Sequence, residues 1–475
     1  MTARRLAVPG LTAACWLALV PAAWADDAAI ARIEQGLRPA VALQGQPVKT
    51  SRLQDEMRRL NVPGVSVAVI RGGKLAWARG FGVTHEGGPA VTPQTLFQAA
   101  SISKPVTALA ALRLAEQGKL DLDADVNTIL TSWKLPAGAG KPSVRQLLSH
   151  TAGTTVSGFP GYAADKPVPT LAQVLDGQAP ANTRAVRVEA APGSAWDYSG
   201  GGYTVLQQAM VDRGGKPFDT LMKDLVLAPL GMKDSAFAQP LPAAWRARAA
   251  QPHDRGGKPY AGGPYTYPEM AAAGLWTTPS DLAKFAIALQ EAAAGRARDL
   301  LTQPMTRAMF TPVKNSYGLG VEIDVEKDEP AFGHGGSNMG FQSSLYAFIG
   351  HGDGAIVMTN GDNGGPLAQS VMRAIAAEYG WSSHATKLRA SVTLPPAQRK
   401  SLEGRYDIPG RGKFEIAERE GVLMLALREG QWEPLYAESD KQLFILSRQI
   451  DLRPLDGDSG YLLAGSTELP YRRAK

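Results

Sequence analysis

The stretch Phe97-Gln98-Ala99-Ala100-Ser101-Ile102-Ser103-Lys104-Pro105 puts a serine three residues ahead of a lysine, where a loop turns into an apolar run. Residues three apart share one face of a helix, so this hydroxyl and this amine can touch. A lysine acts as a base only when neutral, and burial disfavours its charged form. The first turn of a helix also aims backbone N–H groups at developing negative charge. The pair therefore points to acyl transfer, with Ser101 as nucleophile and Lys104 as its base. Helix capping by Ser101 beside a solvated Lys104 is the competing reading of the same two residues.

Other chemistries find no support. There is no H-E-x-x-H, since His85-Glu86 runs into Pro89. There is no G-x-S-x-G elbow, because Met339 stands where Ser337 would need a glycine. Histidines 85, 150, 253, 334, 351 and 384 show no metal-ligand spacing. His150, in Leu-Leu-Ser-His-Thr, reads as a structural residue holding a loop. Cys15 is the one cysteine, which removes thiolate sites and disulfides from consideration. No metal or cofactor is expected. The +6 charge is scattered, without a basic stripe carrying interleaved aromatics, so nucleic acid is not an expected partner.

The elements that must position Ser101 and Lys104 follow from periodicity. Ile30, Ile33 and Leu37 keep helical spacing, as do Leu53, Met57 and Leu60. Val65 to Arg71 and Lys74 to Gly82 read as two strands joined at Gly72-Gly73. Val106, Leu109, Ala110, Leu112, Leu114 and Ala115 make the helix after Ser101 apolar nearly all round, hence buried, and Gly118 stops it. Pro105 is tolerated in its first turn. Residues 119–275 read as short helices and loops, with helices at Val144–Ser149, Leu171–Asp176, Tyr203–Arg213 and Phe218–Leu227, and another at Leu282–Ala293. Then come strands at Tyr317–Ile323, Ala331–His334, Ser343–Ile349 and Gly354–Asn360, and a helix at Pro366–Tyr379. One antiparallel sheet built from both ends of this region, with a helical insertion, fits that order. Residues 381–400 read as a linker, and evenly spaced short strands beyond it as a small antiparallel barrel or sandwich with no catalytic residues.

The amino terminus predicts export. Arg4 and Arg5 precede the apolar run Leu6 to Val20, and Ala23-Trp24-Ala25 offers small residues for cleavage. The competing membrane anchor is weakened by Pro9 and Pro21 and by the shortness of the run. Lipidation of Cys15 would need a large aliphatic at Thr12. Cleavage near Ala25 removes two arginines and no acid, lowering +6 to +4. The expected destination is the periplasm or the medium, with no stable membrane anchor after cleavage.

Several further segments follow in a telling order: Pro63-Gly64-Val65-Ser66-Val67, Gln117-Gly118-Lys119-Leu120-Asp121, Arg145 to Gly153, Tyr198-Ser199-Gly200 and Ala273-Gly274-Leu275-Trp276-Thr277-Thr278-Pro279. Together with the Ser101 stretch they resemble the serine β-lactamase and penicillin-recognising hydrolase family over roughly residues 50–380. Within it, the chain looks like the branch that holds class C β-lactamases, D-alanyl-D-alanine carboxypeptidases, D-aminopeptidases and esterases. The resemblance implies an α+β fold: an antiparallel sheet flanked by helices with a helical insertion, followed by a small C-terminal antiparallel β domain. The expected division is a signal peptide at 1–25, a hydrolase domain at 26–385 and the β domain at 386–475.

The same resemblance makes Ser101 the acylated nucleophile, Lys104 the proton acceptor and Tyr198 a proton relay. It makes His334-Gly335-Gly336 the third motif, with His334 in hydrogen-bond reach of Tyr198 or of a substrate carboxylate. The backbone N–H groups of Ser101 and Ser337 become the oxyanion hole. Two departures stand out: Gly200 replaces the asparagine that ends the second motif, and His334 replaces a lysine. Both weaken the case for β-lactam turnover more than for acyl transfer. The expected substrate is a β-lactam, a D-amino-acid peptide or an ester. Hydrolysis of the β-lactamase or D,D-peptidase kind leads, ahead of esterase or D-aminopeptidase activity and of a binding protein without turnover.

Overall fold

The computed structural model describes residues 22–297, 299–325, 329–447, 450–464 and 467–474. The leader expected at 1–25 therefore falls, up to residue 21, outside the described residues. Among the described residues no helix is long and apolar enough to cross a membrane.

The centre is a six-stranded antiparallel sheet. Its strands are β1 (Gly64–Arg71), β2 (Lys74–Gly82), β3 (Glu322–Asp324), β4 (Ala331–Asn338), β5 (Phe341–Phe348) and β6 (Gly354–Thr359), in the order β2-β1-β6-β5-β4-β3. Alternation along β1 explains why both of its faces are covered. Val65, Val67 and Val69 face one core, with α1 (Ala22–Gln35), α2 (Leu53–Leu60) and a carboxy-terminal helix, Gly364–Tyr379. Ala68 and Ile70 face the other, with the helical region between β2 and β3. That region holds α3 (Ser103–Glu116), α4 (Gly200–Gly214) and α5 (Pro279–Ala293); Gly364–Tyr379 is α6. The expected α+β architecture, sheet from both ends with a helical insertion, is what the chain adopts.

Beyond it, Gly404–Ile408 to Thr467–Arg473 form one nine-stranded antiparallel sheet around a core of its own, which includes Tyr406, Leu425, Leu443 and Leu452. The stretch read as a linker is not slack. Lys387–Arg389 forms a parallel ladder with Val41–Leu43, a short strand in the stretch between the two helical spacings, where the sequence predicts a loop. The buried Arg389 guanidinium lies 2.5 Å from Glu438 and 2.6 Å from Asp451 and covers the Phe444 ring. Pro395-Pro396 starts a helix, Pro396–Leu402, instead of extending a loop.

One strand is shorter than its apolar pattern predicts. Tyr317–Ile323 reads as a strand, yet only Glu322–Asp324 pairs with β4. Asn315 and Ser316 both take left-handed φ, and Gly320, at φ +88°, brings its backbone against Ala108 of α3. A side chain at 320 would collide there, so the segment turns in towards α3 before it can join the sheet. Consequently β3 covers only residues 331–333 of β4, and His334 to Asn338 keep an edge without a strand beside it.

Candidate active site

That open edge lies against the Ser101 turn. A Cβ on Gly336 would stand 2.2 Å from the Ala99 carbonyl oxygen, and the Ser343 hydroxyl donates to the same carbonyl at 2.9 Å. Only glycine permits this approach of two backbones. Ala100 has φ +51°, a left-handed conformation in a residue with a side chain. Such a residue costs on the order of 1–3 kcal/mol and persists where its surroundings hold it. Here the held residue immediately precedes Ser101.

The helix reading is refined at this point. Ala100–Ile102 is one turn of 3-10 helix, and α3 proper begins at Ser103. With three residues per turn, side chains three apart eclipse, which favours the Ser101–Lys104 contact. Lys104 Nζ donates to Ser101 Oγ at 3.1 Å and to the Ala272 carbonyl at 2.9 Å. No carboxylate compensates the lysine among the described residues. Burial in the apolar flank of α3 pushes its pKa from 10.5 down to about 7. The capping reading fails, since no side chain caps the start of α3.

Tyr198 comes in from the turn before α4. Its hydroxyl faces Ser101, whose influence opposes part of the rise in its pKa, and its ring centre lies 4.8 Å from Lys104 Nζ. Burial raises its pKa well above the ordinary phenol value, as does the negative charge of Glu322, so it remains a neutral O–H. Ser199 caps α4, accepting from the Gly202 N–H at 2.9 Å. Three glycines follow because the segment before the site lies flat on this helix end: a Cβ on Gly201 would meet the Thr155 carbonyl at 2.3 Å. At Gly200 the space is already taken, with the Phe159 ring 2.9 Å from where a Cβ would stand. The asparagine missing from the sequence is thus replaced in space by a partly buried phenylalanine, a residue without any signal of its own in the sequence.

His334 differs from expectation in its partner. Its Nε2 lies 3.1 Å from the Tyr317 hydroxyl, and its Nδ1 lies 2.5 Å from the Gly335 carbonyl. A carbonyl only accepts, so Nδ1 carries the proton and Nε2 accepts from Tyr317. Tyr198 is in ring contact alone, at 6.1 Å between centroids. Burial, with the Lys104 charge adding to it, lowers the His334 pKa to about 3. At neutral pH this third motif therefore offers no cation. Gly335 has open space where a side chain would be.

His150 is structural, as its sequence context suggests. It is buried, accepts from the Ser199 N–H at 3.1 Å and packs on Tyr198, Tyr203 and Tyr317. Tyr317 and the Ala272 carbonyl, like Phe159, are site groups the sequence concealed. The glycines and left-handed residues around Tyr317 are the one signal that it sits in a turn and not in a strand.

Comparisons with known proteins agree with this geometry. The Beta-lactamase family model matches residues 50–379. Esterase EstB of Burkholderia gladioli is 30% identical over 196 residues, which is 39% of this chain and 50% of that protein. The D-alanyl-D-alanine-carboxypeptidase/endopeptidase AmpH of Escherichia coli K12 is 28% identical over 229 residues, 47% of this chain and 56% of that protein. The match thus spans about half the length of each of these relatives. The octameric penicillin-binding protein homologue from Pyrococcus abyssi shares the fold, with TM-score 0.61 and 24% identity over 88% of this chain and 98% of that one. The family model covers well over half the sequence and includes the Ser101 turn, the α4 start and the open edge of β4, and so the chain belongs to the Beta-lactamase family.

Proposed function

We propose that the protein is an exported serine hydrolase that works through an acyl-enzyme on Ser101. The observation that carries this is the uncompensated Lys104 amine, about half neutral near pH 7 and 3.1 Å from Ser101 Oγ. Lys104 takes the serine proton as Oγ forms its bond to the substrate carbonyl carbon. The N–H groups of Ser101 and Ser337 hold the oxyanion. Removing one such donor typically costs about a hundredfold or more in rate. The proton passes by way of the Tyr198 hydroxyl to the leaving group as its bond to carbon breaks. Water then releases the acyl group by the same path, restoring Ser101.

Two substrate readings follow from the family. One is amide hydrolysis of the β-lactamase or D,D-peptidase kind, the activity in AmpH's name. The other is ester or D-aminopeptide hydrolysis, with the esterase named among the relatives in support. Neutral His334 and the Phe159 ring beside Gly200 favour the second, because a carboxylate-bearing substrate gains no cation from the third motif and an apolar acyl group gains a ring. Export rests on the sequence of the first 25 residues.

The test is intact-mass spectrometry after exposure to a fluorophosphonate, with Ser101→Ala as control. One adduct at Ser101 is expected; none with either a fluorophosphonate or a penicillin would overturn the mechanism. Rates on p-nitrophenyl butyrate, a D-alanyl peptide and nitrocefin then separate the substrate readings, and a normal acylation with no turnover would instead mark a binding protein.

A further inference from the structure

On the face of the sheet away from Ser101, α2, α6 and the segment between α1 and α2, with Ser447, line an open cleft of about 900 Å³. Its wall carries four cations, Arg38, Lys49, Arg59 and Arg373, against one carboxylate, Glu56. That carboxylate is already engaged, since Arg59 donates to it at 2.6 and 3.0 Å. Arg38 and Lys49 have no acidic partner among the described residues.

Arg373 is the telling member. It rises from α6 into the protein, where its Nε donates to the Arg38 carbonyl at 2.8 Å and its Nη2 to Ser370 Oγ at 3.1 Å. Both acceptors are neutral, and no described carboxylate meets the guanidinium. Burial alone brings its pKa from 12.5 down to about 10. Next to burial, the same uncompensated charge helps hold His384 at about 4. A half-buried guanidinium costs free energy unless an anion joins it. Its flat fork, with hydroxyls beside it and two further cations on the same wall, suits an oxyanion bound by charge-assisted hydrogen bonds. The volume exceeds what a single inorganic ion fills and lies in the range of small-molecule sites.

We propose that this cleft binds a multivalent oxyanion, a phosphorylated or polycarboxylated small molecule, with Arg373 at its base and Arg38 and Lys49 at its rim. The site is separate from the Ser101 chemistry and does not depend on it.

Calorimetric titration of the full chain with pyrophosphate and with citrate, at ionic strength matched by sodium chloride, tests this. Saturable binding of at least one is expected; pyrophosphate alone marks a phosphoryl ligand, both mark a general oxyanion site. The double variant Arg38→Gln/Lys49→Gln changes two surface residues, so it should fold as the parent does. In it affinity should fall ~10-fold or more, about 1.4 kcal/mol, while ester hydrolysis stays unchanged. Arg373→Gln should abolish binding. No saturable heat up to ~10 mM, a regime of affinity weaker than about 3 kcal/mol, overturns the proposal. So does equal affinity in the parent and the double variant.

Discussion

His334 accepts a hydrogen bond from Tyr317, 3.1 Å from ring nitrogen to hydroxyl, and both residues are buried. His334 therefore reaches towards Ser101 through a second tyrosine, which packs on His150 beside Tyr198. Tyr317→Phe removes the donor and strands a buried imidazole nitrogen. Stability should fall by about 1–3 kcal/mol, read as a shift in denaturation midpoint. Fluorophosphonate labelling of Ser101 should slow roughly tenfold through loosened positioning, whereas a purely structural Tyr317 would leave the labelling rate of the folded fraction intact.

The acylation rate should follow the ionisation of Lys104. A lysine at its ordinary value would place the rising limb of the profile near pH 10. With burial holding it at about 7, the rate climbs as pH rises through about 7 and is level above. Labelling rates from pH 5.5 to 9 read this directly. His334, at about 3, and the tyrosines, held above their ordinary value, fall outside that window, whereas Glu269, which burial pushes up to about 8, titrates within it, so Glu269→Gln is the control that assigns the limb to Lys104.

The same lysine is a burden on stability. The unfolded chain keeps its proton up to about 10.5, whereas the folded chain gives it up near 7. The penalty is thus full below pH 7, fades as pH rises, and is gone above 10.5. Its upper size is about 5 kcal/mol. Lys104→Met should abolish labelling and raise the melting temperature, more at pH 6 than at pH 9.5. An equal gain at both pH values would show that packing, not charge, was responsible.

Gly200→Asn tests whether the missing amide can simply be restored. Its Cβ would press on the Phe159 ring at 2.9 Å, and that ring, only partly buried, has room to give. The expected cost is about 1 kcal/mol, with KM for an ester bearing an apolar acyl group raised. In Phe159→Ala/Gly200→Asn the stability loss should be less than the sum of the single losses, a coupling that a double-mutant cycle measures.

Local chemistry was the legible part of this molecule. The hairpin β1–β2 followed from alternation and Gly72-Gly73, the α3 helix from its apolar circumference, and the Ser101–Lys104 contact from spacing of three. Tyr317, Phe159 and the Ala272 carbonyl were hidden because each reaches the site from a short or irregular segment more than 50 residues from Ser101, too brief for either period to show. Tyr317 was misassigned because a run of apolar residues between glycines imitates a strand, and only the contact of Gly320 with α3 decides otherwise. Arg389 escaped for a related reason. A polar, proline-bearing stretch has the composition of a linker, but its charge is balanced by two acids over 40 residues further on.

The position of β1 also governs when the molecule can assemble. It lies between β2, its immediate successor, and β6, almost 300 residues later. A ribosome must therefore release most of the chain before the central strand gains its second neighbour, and the ladder Val41–Leu43 waits longer still for Lys387–Arg389. Such distant pairing makes for slow folding. That delay suits the export proposed above, because the central sheet cannot close until Gly354–Thr359 has been made.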